Sequence, residues 1–469
     1  MGEHFFPALA VLIADWAWLI ALWLCALLFT QFRGISTGRR TFVAGMFAWF
    51  FLVIVTFWTL KPLKKALFVA YYAQHPTTLF DWSMDAAQME LLAKELNVLA
   101  ALLYFLVLSW SRNTLMQGLH YPMIVTLSYG AALLAFALVS DFYTGAAFVW
   151  LFYLFGDLLV VSLVAVFFSF LHVHSDVASS RQLYALIGLG GVMGGFVGSA
   201  SMATLASRMD TGQAMTLACL LLVLTVFVQL WLGRYQRHHP APPPRPEHSG
   251  HPPDTATVPA AGPSGWRRLL RGADVVLHSR HLMLIAALLS VYEVVSVLMD
   301  YQFTRAVTQS IEPAQFKAYF GAVFTLSNAL SVVVQLVLTS WLLKRYGPHV
   351  ALFVLPVAVL LGSGFYVVAP VLLFASLLSV ADNAFAYSVQ QTAREALYVP
   401  TSTLEKYEAK AFIDVVWLRL SKGVAILVGL GASLWLAQAN TYWLSVLVMM
   451  LAVLWLALLG RMLISYRRL

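Results

Sequence analysis

The chain has 469 residues, of which 61% are hydrophobic and only 11% are Asp, Glu, Lys or Arg. Soluble domains lie near half apolar and a quarter charged, so this composition excludes a water-soluble domain and indicates a chain that crosses a membrane many times. The formal charge of +8 is carried by loops and not by a basic soluble domain, which argues against a nucleic-acid partner.

A helical crossing needs about 20 mostly apolar residues. Runs of that kind lie near 7–30, 42–72, 91–110, 121–140, 145–170, 183–206, 212–233, 281–305, 316–343, 349–368, 369–393, 410–436 and 441–464. The expected fold is therefore an all-α polytopic membrane protein: two sets of six helices preceded by one extra N-terminal transmembrane helix. The start, MGEHFFPALA, has no basic stretch ahead of its apolar run, so it reads as a retained span and not a cleaved signal. The only cysteines, Cys25 and Cys219, fall in apolar runs, which leaves no disulfide framework and no thiolate metal site.

Basic residues favour the cytoplasmic side of membrane proteins. Arg33, Arg39 and Arg40 follow the first run; Arg112, Arg181, the stretch from Arg234 to Arg280, Lys344 with Arg345, and the tail Arg467–Arg468 then alternate consistently with them. This predicts an outer N-terminus and a cytoplasmic C-terminus. The loop after the second run, carrying Asp81, Asp85 and Glu90, is expected outside.

Residues 234–265, RYQRHHPAPPPRPEHSGHPPDTATVPAAGPSG, have no apolar periodicity and read as a flexible linker. Its histidines (His238, His239, His248, His251) have no fixed ligand geometry, and no metal is expected. The following WRRLLRGADVVLHSR sets Arg267, Arg268, Arg271 and Arg280 around Trp266 and leucines, the pattern of a helix lying on anionic headgroups. The expected division is 1–41 (extra helix and loop), 42–233 (first six-helix bundle), 234–280 (linker and interfacial helix) and 281–469 (second bundle). Six spans, a long linker and six more is the layout of a major facilitator transporter.

Ionisable residues inside spans are costly and mark substrate or ion pathways. Lys61, Lys64 and Lys65 in WTLKPLKKALFV share one helical face, and Pro62 is expected to break the helix locally. Asp157 stands in the middle of FYLFGDLLVVSL, where a lysine partner or a coupling proton would explain it. Glu293 and Asp300, seven apart, fall near one face, with Glu293 the deeper. Arg394, Asp414, Arg419 and Lys422 surround the last cytoplasmic loop. Gly190, Gly194 and Gly198 recur every four residues in IGLGGVMGGFVGSAS. No strand precedes them as a dinucleotide fingerprint requires, so they predict close helix packing. No Ser/His/Asp set or metal-ligand spacing occurs; His172 and His174 fall on different helix faces. The chain is not expected to be an enzyme or to need a cofactor.

QQTAREALYVP followed by EAKAFIDVVWLRLSKG resembles the segment before and within the eleventh helix of the bacterial and plastid ATP/ADP translocases. The matching positions are Arg394, Glu395, Tyr398, Pro400, Lys410, Ala411, Ile413, Asp414, Val415, Val416 and Lys422, with Ser421 where that family usually has glycine. LKPLKKALFVAYY resembles its first-helix motif, with the lysine at Lys64. FYLFGDLLVVSL resembles its fourth-helix segment, with Asp157 in place of glutamate. VYEVVSVLMDYQF resembles its seventh-helix segment, with the glutamate at Glu293. The resemblance implies a major-facilitator-like fold and roles for Lys64, Asp157, Glu293 and Lys422 in nucleotide or phosphate recognition and counter-charge. Lys61, Pro62 and Lys65 replace two acids and an arginine of the family pattern and make the region more positive.

The expected function is secondary transport of an organic polyanion, nucleotide-like and including ATP/ADP exchange, in a bacterial inner membrane. Substrate contacts are expected from Lys61, Lys64, Lys65, Lys422, Arg394 and Arg419; coupling or counter-charge from Asp157, Glu293, Asp300 and Asp414. Membrane lipids and the anion are the expected partners, and a monomer the expected state. A proton-coupled exporter of an amphiphile (lipid, siderophore or drug) and a non-transporting membrane scaffold or sensor are the alternatives.

Overall fold

The computed structural model describes residues 37–79, 82–115, 120–174, 180–206, 208–238, 265–397, 409–436 and 442–466, with Phe5, Ala8 and Leu9 ahead of them. Apart from Ala8 and Leu9, the extra span expected near 7–30 lies outside the described residues, as do Cys25, the linker histidines His239, His248 and His251, and Tyr398 and Pro400.

The first half begins with α1 (Thr37–Gln74) and a short antiparallel hairpin, β1 (Thr77–Leu79) and β2 (Trp82–Met84), in which Leu79 faces Trp82. Then come α2 (Ala86–Leu115), α3 (His120–Ser140), α4 (Ala146–His174), α5 (Ser180–Leu205) and α6 (Thr211–His238). The amphipathic α7 (Gly265–His278) leads into the second half, which opens with α8 (Arg280–Ser310) and α9 (Phe316–Val333). A π-helical stretch (Val334–Thr339) joins α9 to α10 (Ser340–Tyr346), and α11 (Pro348–Ala351) and α12 (Val354–Val368) follow. Next, α13 (Leu372–Phe385) runs through a second π stretch (Ala386–Gln390) into α14 (Gln391–Leu397). α15 (Lys410–Phe412), a third π stretch (Ile413–Trp417), α16 (Leu418–Leu436) and α17 (Tyr442–Tyr466) complete the chain. Among the described residues, ten helices are long and apolar enough to cross a membrane; α2 carries several charges and α12 is short. In hydrocarbon each backbone N–H and C=O must be satisfied within its own segment, which is why the apolar runs become helices.

The two halves repeat one packing pattern. In the first, α1 packs on α4, α5 and α6, and α3 packs on α6; in the second, α8 packs on α13, α16 and α17, and α12 packs on α17. These are the same positions in the order of each six-helix set. Across the halves α2 meets α16 and α9 meets α5, so the second helix of each set meets the fifth of the other. A pseudo-two-fold relation requires that reciprocity. The cores interleave accordingly: Ala87 and Leu91 of α2 join the second-half core, while Phe316 and Phe320 of α9 join the first. Exposed Leu103, Ile124, Leu220, Phe227, Leu361 and Val453 form an outward apolar surface for lipid.

The glycines do what their spacing predicts. A Cβ on Gly194 would stand 2.7 Å from the Phe51 carbonyl oxygen, and one on Gly198 2.5 Å from that of Val55. Gly190 is less tight, its Cβ position lying 3.0 Å from the Phe47 ring and 3.2 Å from the Phe47 carbonyl oxygen. α5 therefore lies backbone to backbone on α1.

Two local expectations fail. Pro62 does not interrupt α1, which is continuous from Thr37 to Gln74; packing of a long buried helix outweighs one lost hydrogen bond and the ring's clash with the preceding turn. Glu90 is not in an outer loop: it is 1% exposed, inside α2. Asp85 and Gln88 form a reciprocal capping box, Gln88 N–H donating to Asp85 Oδ1 at 2.7 Å and Asp85 N–H to Gln88 Oε1 at 2.9 Å. That cap starts the helix at Ala86 and draws the next acid into the bundle.

Candidate binding site

The three α1 lysines lead to three different environments. Lys65 Nζ donates to Glu90 Oε1 and Oε2 at 2.8 and 2.9 Å and to Asp300 Oδ1 of α8 at 3.1 Å. Lys94, one turn beyond Glu90 on α2, reaches Glu90 Oε1 at 3.0 Å and is ion-paired with Asp300 as well. Tyr153 and Thr304 hydroxyls donate to Glu90 at 3.1 and 2.9 Å. Two cations and two carboxylates thus form a neutral cluster between α1 and α2 of one half and α8 of the other. Neutrality and multiple donors are what let such charges stay buried, and removing one member leaves an uncompensated charge.

Lys64 turns the other way and is ion-paired with Asp157 of α4. Asn97 Nδ2 donates to the second oxygen of that carboxylate at 2.5 Å. Lys64 also lies 4.5 Å from the Tyr153 ring centroid. Gly156 makes room for it: a Cβ there would stand 2.9 Å from Lys64 Cδ. Lys61 meets aromatic rings instead. Its Nζ is 4.2 Å from the Trp58 centroid and 4.7 Å from that of Phe324, with Tyr387 at 6.0 Å. Ring quadrupoles attract the cation, and Phe324 and Tyr387 belong to the opposite half.

Beyond the cluster, toward the end of the bundle where α8 begins and α14 ends, lies a cavity of ≈ 340 Å³. Its lining includes Tyr292, Glu293 and Ser296 from α8, Asp382, Asn383, Tyr387, Gln390, Gln391 and Arg394 from the α13–α14 segment, and Lys422 from α16. Glu293 stands seven residues before Asp300 on α8, roughly 10 Å along the axis. The second and third π stretches bring Gln390 and Asp414 into this region. Such widened turns recur at functional sites. Arg394 Nη2 is 3.9 Å from Asp414 Oδ1, Lys410 pairs with Glu395 at 2.5 Å, and Ser296 donates to Asp382 Oδ2 at 3.0 Å. Lys422 is exposed, and its neighbour Ser421 exchanges a 2.8 Å hydrogen bond with Ser290 that joins α16 to α8.

The other end of the bundle is closed by contacts between the halves. Gln88 donates to Ser433 at 3.2 Å, Tyr301 to Asp85 at 3.4 Å, and Lys317 to the Met209 carbonyl at 2.5 Å. A Cβ on Gly321 would stand 2.9 Å from Ala203 N, which measures how closely α9 and α5 approach.

These geometries can be compared with known proteins. A profile described as a family of unknown function, DUF6479, matches residues 193–268. No curated protein matches. Among solved structures, the POT family transporter PepTSo aligns at TM-score 0.62 and 13% identity, over 91% of this chain and 98% of that one. The nucleoside transporter NupG gives 0.52 and 11%, over 92% and 99%, and a D-xylose-proton symporter 0.57 and 12%, over 88% and 96%. The fold is that of the major facilitator transporters. This chain is accordingly an all-α multi-pass membrane protein. At these identities the likeness carries the fold and no substrate.

The structure brings Lys64 and Asp157 together, joins Lys65 with Asp300, and puts Glu293, Arg394 and Lys422 around one cavity with Asp414 behind Arg394. Glu293 and Lys422 share that cavity without a direct ion pair among the described contacts. Arg419 is half-buried and does not line it. Lys94, Asn97, Asp382 and Gln390 escaped the sequence reading, and Glu90 was placed by it in an outer loop. Their signal was present: EXXXK spacing in MELLAKELN, and an acid followed by amides in VADNAFAYSVQQ.

Proposed function

We propose that the chain is a secondary active transporter that moves an organic anion by alternating access and performs no catalytic step. The observation that carries this reading is the pairing of a neutral, inter-half charge cluster with a cavity that presents Arg394 and Lys422. Lys64 and Lys65 are already matched by carboxylates at hydrogen-bond distance. Lys422 lines the cavity, and Arg394, only loosely paired with Asp414 at 3.9 Å, lines it beside Lys422; these are the cations offered to a substrate. Proteins of this fold carry chemically different cargo, one being named a nucleoside transporter and another a D-xylose-proton symporter. A nucleotide-like polyanion, as in ATP/ADP exchange, is the finer form of the proposal and rests on the sequence resemblance. The basic loops support an N-out, C-in orientation in a bacterial inner membrane, with α7 against anionic headgroups and the chain acting as a monomer.

Counterflow in proteoliposomes tests the proposal. Vesicles preloaded with unlabelled nucleotides, organic phosphates or other organic acids should accumulate a labelled trace of one of them. Lys422→Ala and Arg394→Ala should each abolish that uptake while leaving folded, inserted protein. Undiminished uptake in both variants would overturn the assignment of the cavity.

A second reading concerns the driving ion. Glu90 and Asp300 hold the two halves together through Lys65 and Lys94, so a proton on Asp300 would weaken that contact. Proton coupling would require Lys65 and Lys94 to move away before Asp300 could take a proton, as a rocking of the halves would bring about. An amphiphile substrate does not suit a cavity with so charged a lining. Uptake driven by an imposed pH gradient, and lost in Asp300→Asn while exchange persists, would support it; uptake indifferent to the gradient would remove it.

A further inference from the structure

The cavity of the second half holds three buried polar atoms with no hydrogen-bond partner: Asp382 Oδ1, Gln390 Oε1 and Arg394 Nε. Asp382 is 7% exposed and Gln390 9%, so neither can be served freely by bulk solvent. Ser296 occupies only the other oxygen of Asp382. A carboxylate and an amide oxygen accept hydrogen bonds, whereas a guanidinium N–H donates them. The unmet demands therefore have opposite sign at the two ends of one cavity. Buried polar groups in folded proteins are nearly always matched, and unmatched ones call for an explanation such as a ligand.

Resting on the transporter reading above, we infer that the substrate is an elongated amphoteric molecule. Its acid group meets Arg394 and Lys422, and a protonated amine or other N–H group meets Asp382. A polyanion without an N–H donor would satisfy the first pair and then face Glu293 and Asp382, both lining the same cavity; a nucleotide-like anion qualifies only through the N–H groups of its base. A diamine would fail at Arg394. Length follows from the backbone: positions 382 and 394 are twelve residues apart on one continuous helical segment, roughly 18 Å along its axis. Arg394 reaches back over part of that distance, and Gln390 Oε1 lies between as a way-station for a further N–H. A molecule as short as glycine cannot touch both ends.

The test uses the full chain in lipid nanodiscs and matched-length probes. Binding of 8-aminooctanoate, octanedioate and 1,8-diaminooctane is measured by thermal shift and competition, alongside the shorter ω-amino acids down to glycine. The aminocarboxylate should bind at least tenfold more tightly than either symmetric probe, and affinity should fall as the chain shortens. Asp382→Asn should erase its advantage over octanedioate, and Arg394→Gln its advantage over the diamine. Equal or tighter binding of octanedioate would overturn the inference and leave the anion reading standing. Tighter binding of the diamine would overturn both. Failure of all three to bind at millimolar concentration would overturn the inference, with counterflow deciding the transporter reading separately.

Discussion

Lys64 and Lys65 are adjacent in sequence and have different tasks. Lys64 belongs to its own half through Asp157, and Lys65 ties that half to the other through Asp300. Taking one partner from a buried pair costs about 3–5 kcal/mol, because the other charge stays behind without a counter-ion. The Asp157 side chain is 35% exposed, so Lys64→Ala and Asp157→Ala should each cost less than that, about 1–3 kcal/mol, and the double variant should recover much of the loss. A double-mutant cycle on the purified protein measures it; additive losses would mean that the two side chains act independently. Glu90→Gln should be more damaging than either, since Lys65, Lys94, Tyr153 and Thr304 all converge on that carboxylate.

At the scale of elements, the α1–α5 seam depends on three glycines that let one backbone lie on the other. Gly198→Leu would push a side chain into the Val55 carbonyl and should destabilise by at least the 1–3 kcal/mol typical of overpacking. Loss of monodisperse protein on gel filtration checks it. Asp85→Ala removes a cap worth roughly 1 kcal/mol and should fray the start of α2, the segment that carries Glu90. Most of this level was readable in the sequence: apolar runs fixed twelve helices to within a few residues because hydrocarbon leaves the backbone no other choice. The errors at Pro62 and Glu90 share a cause. Both came from local rules, one for proline and one for acids near a loop, which tertiary packing and the Asp85–Gln88 cap override. The π stretches at Ala386–Gln390 and Ile413–Trp417 had no sequence signal, since they answer to packing between helices. The lysine–carboxylate pairing of Lys64 with Asp157 was legible as a possibility of sign and depth. The partners of Lys65 were not, because Glu90, Lys94 and Asp300 meet only once two halves are assembled.

For the whole molecule, the repeated packing pattern and the reciprocal α2–α16 and α5–α9 contacts divide the chain into two similar halves joined by polar and aromatic side chains. The seam between them is closed by hydrogen bonds at the hairpin end, while the cavity lies toward the opposite end. Rocking the halves would exchange these two conditions, and Asp300 is the side chain whose hold on Lys65 and Lys94 must then be released. An alternating carrier must change which end of the bundle its cavity faces. The direct measurement is reaction of a single cysteine, placed at Asn383 in a background lacking Cys25 and Cys219, with a membrane-impermeant thiol reagent applied to either face. The resting protein should react from the face where α8 begins and α14 ends, and Asp300→Asn should shift reactivity toward the hairpin face. Equal reaction from both faces, or a pattern that Asp300→Asn leaves unchanged, would contradict an alternating carrier latched by this cluster.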